Sequence, residues 1–118
     1  MRGYKDLKIW QEGIGLVLLC YKITRQFPHS EIYGLASQIN RAVVSIPVNI
    51  AEGYGRNGNK ELIQFLYISL GSCNELDTLL VLAKELGYCS QSQYIELSTK
   101  LEQVASQISA FISYRKNK

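Results

Sequence analysis

The sequence predicts an all-α protein, an antiparallel up-down-up-down four-helix bundle, and three observations carry that expectation. Apolar residues recur at steps of three and four along four stretches, short breaks containing Gly, Pro or Ser separate the stretches, and no two alternating runs exist from which a sheet could be paired. With 118 residues, 47% hydrophobic and 19% charged, the chain has the size and composition of one globular domain, residues 1–118, that buries a core without disulfide or metal staples.

In the first stretch Leu7, Trp10, Ile14, Val17, Tyr21 and Thr24 form the seam expected to face the core, with Asp6 as N-cap and an end near Gln26, since Pro28 disfavours helical geometry at Phe27. A second apolar stripe, Ile9, Leu16, Leu19 and Ile23, lies about 130° away at 100° per residue. One core does not need both, so this stripe is expected to be exposed and to mark a subunit interface in a homo-oligomer; the wide buried arc of an ordinary bundle helix is the competing explanation. After the loop Pro28-His29-Ser30, Ser30 or a neighbour caps a second helix carrying Leu35, Ile39, Ala42, Ile46 and Ile50. Val43 to Ala51 is rich in β-branched residues and contains Pro47, which would interrupt a central strand as surely as it would kink a helix. The pattern beginning upstream at Leu35 and the absence of a partner strand favour a kinked helix.

Gly53 to Gly58 reads as a turn, after which Asn57 or Asn59 caps a third helix with Leu62, Phe65, Ser69, Ser72, Leu76, Leu79, Ala83 and Leu86 along its seam and Gly87 as its C′ residue. Ser90 and Gln93 form a candidate capping box for the fourth, which carries Tyr94, Leu97, Leu101, Val104, Ile108 and Phe111; the basic end from Tyr114 to Lys118 is expected to fray. Helices of this length joined by short loops pack as antiparallel neighbours.

Thirteen Lys and Arg against ten Asp and Glu give a net charge of +3, too little to announce a nucleic-acid binder by bulk charge. The surplus is uneven: residues 1 to 60 carry +4, including Arg2, Lys5 and Lys8, and residues 61 to 118 carry −1. Such asymmetry permits a basic face for an anionic partner, and a solvated surface accounts for it as well. Cys20, Cys73 and Cys89 are widely spaced, odd in number and without a C-x-x-C pair, which argues against a disulfide framework or zinc site and for a reducing, cytoplasmic compartment. The charged stretch Met1 to Trp10 does not read as a secretory signal. The longest uncharged run, Leu62 to Asn74, has 13 residues, short of the roughly 20 that span a bilayer, so no membrane partner is expected.

Gly53, Gly55 and Gly58 spell G-x-G-x-x-G, with Glu75 and Asp77 about twenty residues on. The dinucleotide-binding reading fails because that motif requires a preceding parallel strand and neighbouring βα units, so no cofactor is expected. The same turn places Arg56 and Lys60 beside the start of the third helix, where free amides attract anions, with Tyr54 near enough to stack; Arg41, Arg56, Lys60 and Tyr54 are the candidate nucleic-acid-binding residues. A solvated loop whose glycines permit unusual backbone angles is the plainer account of that turn.

Gln38, Arg41, Ser45, Asn49, Glu52 and Arg56 fall within a narrow arc of the second helix, flanked by Leu35, Ala42 and Ile46 on one side and Val44 and Val48 on the other. The expectation is a partly buried polar stripe satisfied by Glu61, Ser69, Ser72 and Glu75 of the third helix. In that interhelical network Arg41 or Arg56 pairs with Glu75, Glu52 or Glu61. Arginines so close would keep the carboxylates ionised, which suits a structural role better than acid-base catalysis. His29, the only histidine, has no nucleophile or second ligand near it in sequence, so no catalytic residue and no metal ligand is assigned and the protein is expected not to be an enzyme.

Several stretches carry a resemblance: LKIWQ (Leu7 to Gln11), FPxxExYGL (Phe27 to Leu35), QINRA (Gln38 to Ala42), SIPVNIAEG (Ser45 to Gly53), Gly55-Arg56, Phe65-Leu66, GSxxE (Gly71 to Glu75) and Leu86-Gly87-Tyr88. Together they resemble the four-helix-bundle family of 23S ribosomal RNA intervening-sequence proteins over nearly the whole chain. The resemblance implies an antiparallel bundle assembling as a homopentamer, similar also to the accessory protein of diversity-generating retroelements, a basic pentamer thought to bind nucleic acid and a reverse transcriptase. It implies no established reaction. Two functions from different classes follow: an oligomeric RNA-binding module whose copies pool their basic halves, or an assembly scaffold presenting helix faces to another protein without a nucleic-acid role.

Overall fold

The computed structural model describes residues 3–118; Met1 and Arg2, the latter one of the basic side chains counted above, lie outside the described residues. Four helices run α1 Lys8–Thr24, α2 Leu35–Tyr54, α3 Asn59–Glu85 and α4 Gln91–Lys116, with short 3-10 turns at Gly3–Asp6 and His29–Glu31 and no strand among the described residues. Each helix packs on its two neighbours in the cycle α1, α2, α3, α4 and on neither diagonal partner, within an envelope of 45 × 21 × 20 Å. This is the up-down-up-down bundle, and α2 against α3 is its most extensive contact.

The core runs the length of the bundle. Leu16, Ile39, Ile46, Ile50, Leu66, Leu76, Leu80, Leu97 and Ile108 are fully buried, and every helix contributes. By length and composition α3 could cross a bilayer, but Leu62, Leu66, Cys73, Leu76 and Leu80 of that helix are buried in the bundle.

The structure gives the core to the second stripe of α1 and leaves the expected seam at its margin, with Leu7, Trp10 and Val17 packed on the core's edge and only Thr24 of that seam buried. Ile9, Gly13, Leu16, Cys20 and Ile23 face the core, whereas Trp10, Ile14 and Val17 are only partly buried and Tyr21 is exposed. The stripe expected to be spare is therefore the core stripe, with Leu19 at its margin. Close approach explains the choice: a Cβ on Gly13 would lie 3.3 Å from Pro47 Cβ, so α1 meets α2 through its smallest residue rather than through its bulky seam. Glycine lowers the apparent hydropathy of the face that packs most tightly.

Helix ends also differ in detail. Leu7, not Asp6, occupies the N-cap of α1, because Asp6 closes the preceding 3-10 turn, where Leu7 N–H donates to the Tyr4 carbonyl at 3.0 Å. At the start of α2 the N-cap position is Gly34, and the side chain that serves the helix end belongs to Glu31, the neighbour of Ser30: its Oε1 accepts the Leu35 amide at 2.8 Å and its Oε2 accepts the Tyr88 hydroxyl at 3.0 Å. A Cβ at Gly34 would sit 2.5 Å from that Oε1, so a side chain there would push the carboxylate off the Leu35 amide. The Phe27 ring, 5.7 Å from Tyr88, closes the same corner. Helix α2 runs uninterrupted through buried Pro47. Gly58, not Asn57 or Asn59, is the N-cap of α3. At its other end Gly87, with φ of 78°, makes the Schellman arrangement: Tyr88 N–H donates to the Ala83 carbonyl at 2.8 Å and Gly87 N–H to Lys84 at 3.0 Å. Ser90 and Gln93 form the reciprocal capping box of α4.

Across the α1–α4 groove Lys100 Nζ donates to Glu12 Oε1 at 2.6 Å and Gln103 Nε2 to the same oxygen at 3.2 Å. The Lys100 hydrogen bond, and then its charge, hold the Glu12 carboxyl below its ordinary value near 4.5. A lowered folded-state pKa contributes stability that is present above the unfolded value and lost as pH falls through the folded one. Acid unfolding should therefore show an Glu12-dependent component below about pH 4.5 that Glu12→Gln removes, as read by urea titrations at pH 7 and pH 3. A second contrast tests helix spacing. A Cβ at Gly53 would lie 2.6 Å from Phe65 Cβ, whereas at Gly71 in exposed mid-helix it meets nothing within 4 Å. Gly53→Ala should cost about 1–3 kcal/mol through overpacking, and Gly71→Ala should stabilise by about 0.5–1 kcal/mol, both measured by chemical denaturation.

Candidate functional site

The polar stripe on α2 meets α3 through hydroxyls, not through charges. Ser45 Oγ lies 2.6 Å from Ser72 Oγ and donates to the Ala42 carbonyl at 2.7 Å, while Asn49 Nδ2 donates to the Ser45 carbonyl at 2.8 Å. One turn along, fully buried Ser69 donates to the Ile46 carbonyl at 2.9 Å, beside Pro47. The expected interhelical arginine-carboxylate network is absent among the described residues. Of the expected pairs only Arg56 with Glu52 forms, at 2.7 Å, and it joins the α2–α3 turn back to the last turn of α2 rather than bridging two helices, while Gln38, Arg41, Glu61 and Glu75 are exposed. The reason is geometric: at the α2–α3 contact only short side chains fit between the backbones, and the long ones at the edge of the arc reach water instead.

Antiparallel topology brings the starts of α1 and α3 and the ends of α2 and α4 to one end of the bundle. There the basic side chains Lys5, Lys8, Arg56, Lys60, Arg115, Lys116 and Lys118 gather, more than half of the chain's thirteen Lys and Arg, against Asp6, Glu52 and Glu61. The junction is pinned by Asn59: its Oδ1 accepts Arg115 Nε at 2.7 Å and its Nδ2 donates to the Arg115 carbonyl at 2.6 Å. These two bonds order the last turn of α4 out to Lys116, where fraying was expected from Tyr114.

Aromatic rings interleave with these cations. The Arg56 guanidinium stands 5.0 Å over Phe65, Lys116 Nζ 5.2 Å over Tyr67, and Lys118 Nζ 4.6 Å over Tyr114, which stacks on Phe111 at 6.2 Å. Lys118, by hydrogen bonding and then by charge, holds the Tyr114 hydroxyl below its usual phenol range. A hollow of about 300 Å³ between Tyr54, Arg56, Asn59, Leu62 and Arg115 lies at this junction. Of the four candidates from sequence, Arg56 and Lys60 lie at this basic end and Tyr54 is half-buried at its rim, while Arg41 lies apart, lining a shallow hollow with Tyr21, Tyr33 and Val44. Sequence reading missed Arg115, Lys116, Lys118, Tyr67 and Tyr114, although up-down topology by itself places the tail of α4 beside the start of α3.

A second surface runs between α1 and α2. Tyr4, Trp10, Ile14, Val17, Val44, Pro47, Val48 and Ala51, together with Glu52, line an open and mainly apolar trough of about 490 Å³, with Val48 54% exposed. Burial disfavours the thiolate at all three cysteines, pushing Cys20 up to about 12 and Cys73 up to about 11, and raising Cys89. Among the described residues no three His, Cys, Asp or Glu side chains converge as metal ligands.

The profile of the 23S rRNA-intervening sequence protein family matches residues 5–110. The chain belongs to this family. Its fold is similar to a solved protein of unknown function from the S23 ribosomal protein family of Bacteroides thetaiotaomicron, at a TM-score of 0.82 and 19% identity, covering 88% of this chain and 97% of that one. No curated protein matches the sequence.

Proposed function

We propose that this family member is a non-enzymatic, oligomeric module that binds RNA through the basic end of its bundle, in the cytoplasm. The observation that carries the reading is the meeting of Arg56 from the α2–α3 turn and Lys60 from the first turn of α3 with Arg115, Lys116 and Lys118 at the end of α4, which concentrates charge that is dilute in the chain as a whole. Phosphates neutralise such a cluster and release counterions, the dominant sequence-independent term in nucleic-acid affinity. Buried free thiols at Cys20, Cys73 and Cys89 suit a reducing compartment.

Oligomerisation rests on the α1–α2 trough. An apolar face with Trp10, Ile14, Val17 and Val48 open to water is the kind of surface that a second copy covers, and a pentamer is the order the resemblance implies. Several copies would multiply the phosphate contacts available to one RNA. The competing reading, a protein-assembly scaffold, would place a partner's helix in the same trough.

Anisotropy titrations with a structured RNA across a salt series should show log affinity falling linearly with log salt. Lys60→Glu with Lys116→Glu, both exposed, should weaken binding at low salt at least about tenfold and lower the slope by about two. A flat salt response would sink the RNA reading, and a partner retained after nuclease treatment would support the scaffold. Light scattering should give a mass several times 13.4 kDa, and Val48→Lys, in the trough, should shift it toward the monomer with helical content unchanged; a wild-type monomer would remove the oligomer.

A further inference from the structure

Resting on the nucleic-acid reading above, we propose that the basic end takes unpaired nucleotides, stacking bases on Tyr67 and Tyr114, and discriminates against duplex. The juxtaposition behind this is three cation-ring pairs in three successive grooves around one end: Lys118 with Tyr114 at α1–α4, Lys116 with Tyr67 at α3–α4, and Arg56 with Phe65 at α2–α3. The fourth groove, between α1 and α2, carries the apolar trough instead.

The rings and cations differ in availability in an informative way. Phe65 is partly buried and its Arg56 is engaged by Glu52, so this pair contributes little that is free. Tyr67 and Tyr114 are 48% and 55% exposed, and each is covered by a lysine for which no carboxylate partner exists among the described residues. A lysine lying on a ring is held by only about 0.5–1 kcal/mol at an exposed site, and Lys118 in addition by its hydrogen bond to the Tyr114 hydroxyl, which a charge-assisted bond to phosphate replaces. Such a lysine can swing from the ring to a phosphate while a base takes its place on the π-face. Ring and charge then serve the two halves of a nucleotide, base and backbone, at the same point.

Shape selects the single strand. The bundle is only about 20 Å across, and its cation-ring pairs sit in different grooves around that cross-section. A duplex is stiff on the scale of so small a body, touches one side of it and keeps its bases stacked inside. An unpaired strand bends from groove to groove and exposes a π-face at every nucleotide, and sequence-tolerant stacking of this kind is the common mode of single-strand binding.

The test compares a 20-nucleotide oligouridylate with a blunt RNA duplex of equal length, by anisotropy at low salt, on the full chain. Wild type should bind the single strand at least about tenfold more tightly. Tyr67→Leu with Tyr114→Leu keeps the lysines and should cost the single strand about tenfold or more, with duplex affinity, salt slope and circular dichroism unchanged, whereas the double Phe variant, which keeps both rings, should bind as wild type does. Equal affinity for the two nucleic acids, equal losses on both in the leucine variant, or loss in the phenylalanine variant would each overturn the stacking proposal and leave RNA binding standing. Binding to neither would overturn both.

Discussion

The seam between α2 and α3 is the constraint on which the rest of this molecule depends. Ser69 is fully buried, and its hydroxyl finds the Ile46 carbonyl only in one alignment of the two helices. The same antiparallel register joins Ser45 to Ser72 and sets Gly53 against Phe65. A slip by one turn would leave a buried hydroxyl unsatisfied, at a cost of about 1–3 kcal/mol, and would drive side chains into the backbone at Gly53. Apolar packing alone tolerates sliding far better than this seam does.

From that register the other features follow in sequence. It fixes where the α2–α3 turn sits, and Asn59 at the start of α3 then anchors the final turn of α4 through Arg115. Basic residues separated by some sixty positions in the chain come together, such as Arg56 and Arg115, which line the same hollow. Their mutual repulsion is a cost that the free protein bears and a bound polyanion relieves. On the far side of α2, Pro47 receives Gly13 of α1 in a close contact, which turns the bulky seam of α1 outward and creates the trough with Trp10 and Val48.

The motifs that carry the family resemblance are mostly architectural. In FPxxExYGL, Glu31 accepts the Leu35 amide at the start of α2 and holds Tyr88, Gly34 makes room for that carboxylate, and Phe27 packs on the Tyr88 ring. SIPVNIAEG and GSxxE supply the α2–α3 hydroxyl seam, and Leu86-Gly87-Tyr88 is the Schellman stop of α3. Such residues specify how the bundle closes, and a fold held in common does not by itself assign a chemistry. The exposed tyrosines and lysines near the end of α4 lie outside every one of these motifs.

By itself the amino-acid sequence determined the number of helices, their order, the capping box at Ser90 and the glycine stop at Gly87, because periodicity and capping are decided within a few neighbouring residues. It also marked Ser45, Asn49 and Ser72 as residues whose polarity needs partners. Only the tertiary structure decided which of the two stripes of α1 faces inward, since both are apolar and the choice rests on Gly13 meeting Pro47, a contact between residues far apart in the chain. Tertiary packing likewise decided that long charged side chains at Arg41 and Glu75 would reach water rather than each other, and that the end of α4 would be pinned beside the α2–α3 turn. Charge counted along a chain adds by segment, whereas charge felt by a partner adds by distance, and distance is set by the fold.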